Sequence, residues 1–232
     1  MIKATLAVCL FTISSIRAQD VPSADVQKQH ISIAVDTSIL LALSKFGSEK
    51  RIPIGIVLET NKPRQLCEET RQVTIRDEPL SDFLDALLAR SGYAWSAEDS
   101  VIVVHPTHIA DQVSRVLNIK LDEFGPFALL PTTMQSLGIL LASRTFSELH
   151  PENKSSAGSI LSSSDAEHFP DFLARNATVK QVLNEIVKLG SKGMWIFRLD
   201  QDFEHKRDIE LHTYSYKDDA NTLRTICSSG SY

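Results

Sequence analysis

No run of lysine or arginine breaks this sequence, and that absence removes a class of functions. A nucleic-acid binder needs a basic face to displace counterions from phosphates. Here 24 basic residues are scattered among 29 acidic ones, and the sequence pI is about 5.8. The nine glycines stand singly, so there is no glycine-rich loop to cradle a phosphate. Neither G-x-S-x-G nor S-x-x-K occurs, and the serines that cluster lie in a stretch with no rigid element to hold one beside a base. His105 and His108 stand three apart, but Pro106 between them marks a strand end, and no cysteine or carboxylate pair completes a ligand set. Asp200, Asp202 and Glu204 begin like a calcium loop; His205 then stands where the loop needs glycine, and the twelfth place holds no glutamate. No catalytic, cofactor-binding or metal-ligating residue is assigned on these grounds, and no cofactor is expected.

Long apolar runs are scarce as well. The one extended run covers residues 4–16, after Lys3 and before the small residue Ala18. That grammar predicts a secretory signal peptide over residues 1–18, cleaved near Ala18, and so export to a bacterial periplasm. A membrane anchor is the competing reading, but a run of about 13 residues falls short of the ~20 a spanning helix needs. A lipoprotein would use Cys9, which follows the bulky Val8 and precedes more apolar sequence. Nothing later is apolar enough to span a bilayer. Loss of Lys3 and Arg17 from the 24 basic residues leaves 22 against 29 acidic ones, a net charge of −7.

Cysteine is rare, with three in 232 residues. Removal of Cys9 with the signal leaves Cys67 and Cys227, which an oxidising compartment would allow to pair. Such a bridge would close a loop of about 160 residues, nominally worth ~5 kcal/mol in the chain-entropy model. Two unrelated thiols are the alternative, and spacing does not decide between them.

What the chain has in quantity is pattern. The block "VTIRDEPLSDFLDALLARSGYAWSAEDSVIVV", residues 73–104, reads as strand, helix, strand, turn, strand. Leu80, Phe83, Leu84, Leu87 and Leu88 make one apolar stripe, Asp77 is a candidate N-cap, Pro79 suits the first turn and Gly92 ends the helix. The same grammar returns 99 residues on. Val179, Val182, Leu183, Ile186 and Val187 repeat the stripe, Asn176 stands where Asp77 stood, and "MWIFRL" supplies the next strand. Upstream, "HISIAV" and "TSILLALSKFG" find counterparts in "VLNIKLDEF" and "TTMQSLGILLASRTF", whereas "IPIGIVLE" finds none.

An internal duplication follows. The expected fold is α+β: two small lobes of short strands with two helices each, built from βαββ-type repeats. The boundaries are a linker at 19–28, a first lobe at 29–108, a second at 109–213 and a polar tail at 214–232. The Ser-rich segment 147–170 reads as an insertion in the second lobe. Whether the lobes share one sheet or merely touch stays open.

The stretch "VTIRDEPLSDFLDALLARSGYAW", with its cap, helix, Gly-aromatic strand and closing "VIVV", resembles the short N-terminal domain of secretins and TonB-dependent transducers. The second copy matches the cap and helix but carries "GSKGMW" in place of a simple Gly-aromatic step. No barrel or secretin sequence follows. The resemblance implies a free-standing extracytoplasmic interaction or adaptor module, without enzymatic activity, that docks an envelope protein. Docking would use an exposed sheet edge, and the candidate is the strand Val101, Ile102, Val103 and Val104. Trp95 and Trp195, at like places in the two copies, either line a groove or cover the preceding helix. The rival reading is a small envelope hydrolase or ligand-binding protein with its site between the lobes.

Overall fold

The computed structural model describes residues 27–58, 64–129, 137, 159–162, 168–189, 193–199 and 209–214. Along His30–Ser38 (β1), Ile31, Ile33 and Val35 turn inward and their neighbours outward, the period-2 pattern of a half-buried strand. It pairs antiparallel with Thr70–Pro79 (β3), setting Ile33 beside Ile75 and Val35 beside Val73. Between these strands run Ile39–Lys50 (α1), Ile54–Leu58 (β2) and the short helix Arg64–Glu68 (α2). The Ser38 hydroxyl accepts the Leu41 N–H at the start of α1, and Arg51 in the left-handed region ends it. Every residue of β2 is buried, which suits a strand covered on both faces.

Leu80–Leu88 (α3) buries the five residues of its predicted stripe, with Phe83 against Phe46 of α1 at 5.1 Å between ring centroids. Tyr93–Glu98 (β4) and Val101–Pro106 (β5) follow as a hairpin. Its two turn residues, Asp99 and Ser100, both have positive φ, as the twist of a two-residue hairpin turn demands. The second half comprises Asp111–Leu117 (α4), Lys120–Leu129 (β6), Ser159–Ser162 (β7), His168–Thr178 (β8), Val179–Leu189 (α5), Met194–Leu199 (β9) and Ile209–Tyr214 (β10).

The fold is α+β. Six strands form one sheet in the order β4-β5-β2-β9-β10-β7, and the pairs β1·β3 and β6·β8 stand as separate ribbons. Alternate residues of the central strands feed two cores. Ile54, Ile56, Ile102, Val104 and Ile196 pack with α1, α3 and the β1·β3 ribbon. Val57, Val101, Val103, Trp195 and Phe197 pack on the opposite face with α4, α5 and the β6·β8 ribbon. Leu137, helical and fully buried, belongs to this second core.

The two halves correspond in backbone geometry. Asp77 and Asn176 have φ of 53° and 50°, a left-handed step open to Asp and Asn because their short side chains bond locally. The first N–H of α3 donates to Gln29 O at 2.9 Å, and the first N–H of α5 donates to Ile119 O at 3.1 Å. Neither Asp77 nor Asn176 is the helix cap. Pro79 holds that place in α3 without a side-chain bond. At α5, Thr178 and Gln181 form a reciprocal capping box, with bonds of 3.2 and 2.8 Å.

One open question is answered and two expectations change. The two halves share a sheet, because β2 of the first runs parallel to β9 of the second. The Ser-rich segment 147–170 is not wholly an insertion: β7 lies inside it, at the place in the second half that β2 holds in the first, and β8 begins at His168. Helix α4 replaces the first residues of the predicted strand "VLNIKLDEF", and its signal is the spacing of Val113, Val116 and Leu117.

Strand direction gives the relation between the halves. Antiparallel pairs are β4·β5 and β9·β10, and parallel pairs are β5·β2, β2·β9 and β10·β7. The triplet β9-β10-β7 therefore keeps the order of β4-β5-β2 with every strand reversed, and its helices lie on the opposite face. A half-turn about the line across the sheet, with an advance of three strands, carries one half onto the other.

Candidate functional site

The strand expected to be an exposed edge is interior. Val101, Ile102, Val103 and Val104 lie in β5 between β4 and β2, with side chains at most 2% exposed. The physical reason is legible in the residues themselves. Four consecutive β-branched side chains leave no polar face, which is the mark of a strand covered on both sides. Edge strands are commonly short or carry polar residues that discourage pairing. The sheet instead ends, among the described residues, at β4 and β7. One is "YAWSAE", the other the four-residue "SILS".

The two tryptophans separate. Trp95, in β4, is half-buried, and its indole N–H donates to the exposed Asp85 Oδ1 at 2.7 Å. Trp195, in β9, is fully buried, and its indole N–H donates to Asn184 Oδ1 at 3.0 Å. Asp85 and Asn184 stand 99 residues apart at the same place on α3 and α5, so each repeat ties its strand tryptophan to its helix by the same bond. Both rings cover the helix before them, and Trp195 is not an exposed aromatic.

Burial explains the change from carboxylate to amide. A charge out of water in the second core would lack the solvent that Asp85 keeps. Asn184 Nδ2 is itself buried and without a partner among the described residues. Sequence reasoning aligns the two helices but misses this acceptor, whose signal is a polar residue recurring one position after each Leu84/Leu183 anchor.

Gly55 shows what closes the seam between the halves. It lies opposite Trp195, and a Cβ built on it would run into the indole Cζ2. The ring therefore lies across the β2 backbone, and a side chain at residue 55 would displace it. A second link between the halves is the ion pair of Glu98, last in β4, with Lys180 in the first turn of α5, at 2.6 Å.

Cys67, in α2, is disulfide-bonded and packs partly against the first core. The other half of the expected pair, Cys227, lies outside the described residues, as do the predicted signal peptide, the tail beyond residue 214 and Asp200, Asp202, Glu204 and His205. His105 Nδ1 sits 2.9 Å from Pro106 O, and His108 is not brought to it in any ligand set. Among the described residues, no three of His, Cys, Asp and Glu are gathered as a metal site. No helix among them is long and apolar enough to cross a membrane. Set against protein-family models, curated proteins and solved structures, the chain matches none.

Proposed function

We propose that this chain is an exported, non-enzymatic interaction module that docks an envelope protein by accepting one of its extended segments beside the sheet. The observation that carries the reading is an open sheet whose outer strands, β4 and β7, have no neighbouring strand among the described residues. Outer strands present backbone donors and acceptors in a row, and strand addition is a recurring way to recognise an extended partner. The disulfide at Cys67 supports an oxidising compartment.

The hydrolase or ligand-binding alternative places its site between the halves. There the chain has a parallel strand pair of five residues, with Trp195 laid across Gly55, and the adaptor reading is favoured for that reason. The test begins with the residues that face outward. Gly92 O accepts the Thr107 N–H at 2.9 Å, so alternate residues of β4 turn to β5 and Trp95 and Ala97 turn their N–H groups away. Ala97→Pro removes an outward donor and leaves the β5 ladder intact. Immobilised protein incubated with envelope extract should retain one partner in a saturable manner, competed by untagged protein and lost with Ala97→Pro. Retention that does not saturate, or that Ala97→Pro leaves unchanged, would discard β4 as the docking strand.

A further inference from the structure

Among the described residues one strand pair joins the halves within the sheet, the outer side of β2 against the outer side of β9. In the second half β7 stands where β2 stands in the first, and in the first half β4 stands where β9 stands in the second. The outer sides of β7 and β4 are thus second copies of the two sides that already meet inside the chain. We propose that copies of this chain add head to tail through them, β7 of one running parallel beside β4 of the next. The proposal rests on the reading of the sheet sides as docking surfaces and names their partner as a second copy.

The internal joint sets the register. Trp95 lies beside Val104 and Trp195 beside Thr213, so Ile102 corresponds to Leu211 two residues back. Ile54 pairs with Ile102, and Leu161 pairs with Leu211, so Leu161 corresponds to Ile54 and Ser162 to Gly55. Within the chain Ile54 meets Met194 and Gly55 meets Trp195. Between copies, Leu161 then meets Ala94 and Ser162 meets Trp95.

The burial of the two tryptophans fits this pairing. Trp95 is half-buried where Trp195 is fully buried, the difference expected if one has its cross-strand neighbour in the chain and the other takes it from a second copy. The backbone groups are also set for it. Ile54 donates its N–H to Gly193 O at 2.7 Å, toward β9, so Leu161 at the same place turns its N–H outward.

Two half-turns cancel, so successive copies are related by translation across the sheet, modified by its twist. Such a contact is heterologous and does not close on itself as a twofold dimer does. Its shortest component is β7 with four residues, so assembly should depend on concentration.

The experiment uses the full chain with its disulfide intact. Light scattering on eluting protein should give a mass that rises with concentration. Trp95→Pro, which removes the outward N–H at the place beside Ser162, and Leu161→Pro, each checked for native circular dichroism, should each stay monomeric alone. Mixed, they should form a one-to-one pair and nothing larger, because one keeps its β7 side and the other its β4 side. Should either proline unfold the chain, the double variant Ala94→Cys with Leu161→Cys tests the same register. It should give a ladder of disulfide-linked oligomers, and each single variant should give none. A wild-type chain monomeric at every concentration, or a mixture that fails to pair, overturns the proposal. If that monomer still holds an envelope partner that Ala97→Pro releases, self-assembly alone is lost. If it holds none, the docking reading falls as well.

Discussion

The same hydrogen bond occurs twice in this molecule, once wet and once dry. In the first half the Trp95 indole reaches an exposed Asp85, and in the second the Trp195 indole reaches a buried Asn184. The helices and strands that hold the two pairs are equivalent, and the difference comes from what lies beside the strand. β9 has β2 along its outer side and β4 has nothing among the described residues. Corresponding elements of the two halves therefore need not share their chemistry. Once two copies join, the residues at the joint answer to a dry interior, and their counterparts at the open end still answer to water.

The largest test of that contrast is deletion of the rings. Trp195→Ala should cost about 4 kcal/mol of unfolding free energy, in the range of fully buried tryptophans, and Trp95→Ala clearly less, both read from denaturant midpoints. The acceptors come next. Asn184→Asp should destabilise by about 3 kcal/mol, because the carboxylate must be held charged in a dry core or be protonated. Asp85→Asn keeps an acceptor in an exposed site and should change stability by no more than about 0.5 kcal/mol. Equal losses from the two exchanges would mean that both acceptors sit in one environment, and the contrast between wet and dry halves would fall.

Gly55→Ala probes the joint itself. The methyl group would meet the indole ring, and the rearrangement should cost about 2 kcal/mol, with a shift in tryptophan fluorescence reporting displacement of Trp195. The smallest effect concerns the caps. Thr178→Ala breaks the capping box of α5 and should cost about 1 kcal/mol, seen as a lower thermal midpoint. In α3 the equivalent residue, Pro79, makes no such bond, so its substitution by alanine should cost less.

Much of this contrast is legible in the residues, and the reasons are local. The stripes at Leu80–Leu88 and Val179–Leu189 bury the residues their period picks out, because a helix brings i, i+3 and i+4 to one face whatever surrounds it. Asp77 and Asn176 stand out as a recurring pair, but the pattern suggests caps where the backbone has a left-handed step, since polar side chains near a helix start serve either purpose. An edge at Val101, Ile102, Val103 and Val104 fails because it follows an analogy against the apolar run, which favours an interior strand. β7 escapes notice because four residues of "SILS" carry little strand signal until β10 is beside them.

By itself the sequence determined what depends on near neighbours: the helices α1, α3 and α5, the hairpin turn at Asp99 and Ser100, and the pattern that returns with a spacing of 99. Those follow from side-chain period and backbone preference within a few residues. Only the tertiary structure decided which strand lies beside which. It made one sheet of two repeats, closed Trp195 over Gly55 and left Trp95 at the end of the sheet. The β2·β9 pairing joins residues more than a hundred apart, and its hydrogen bonds run through backbone groups that nearly every residue carries, so side-chain pattern holds little record of it.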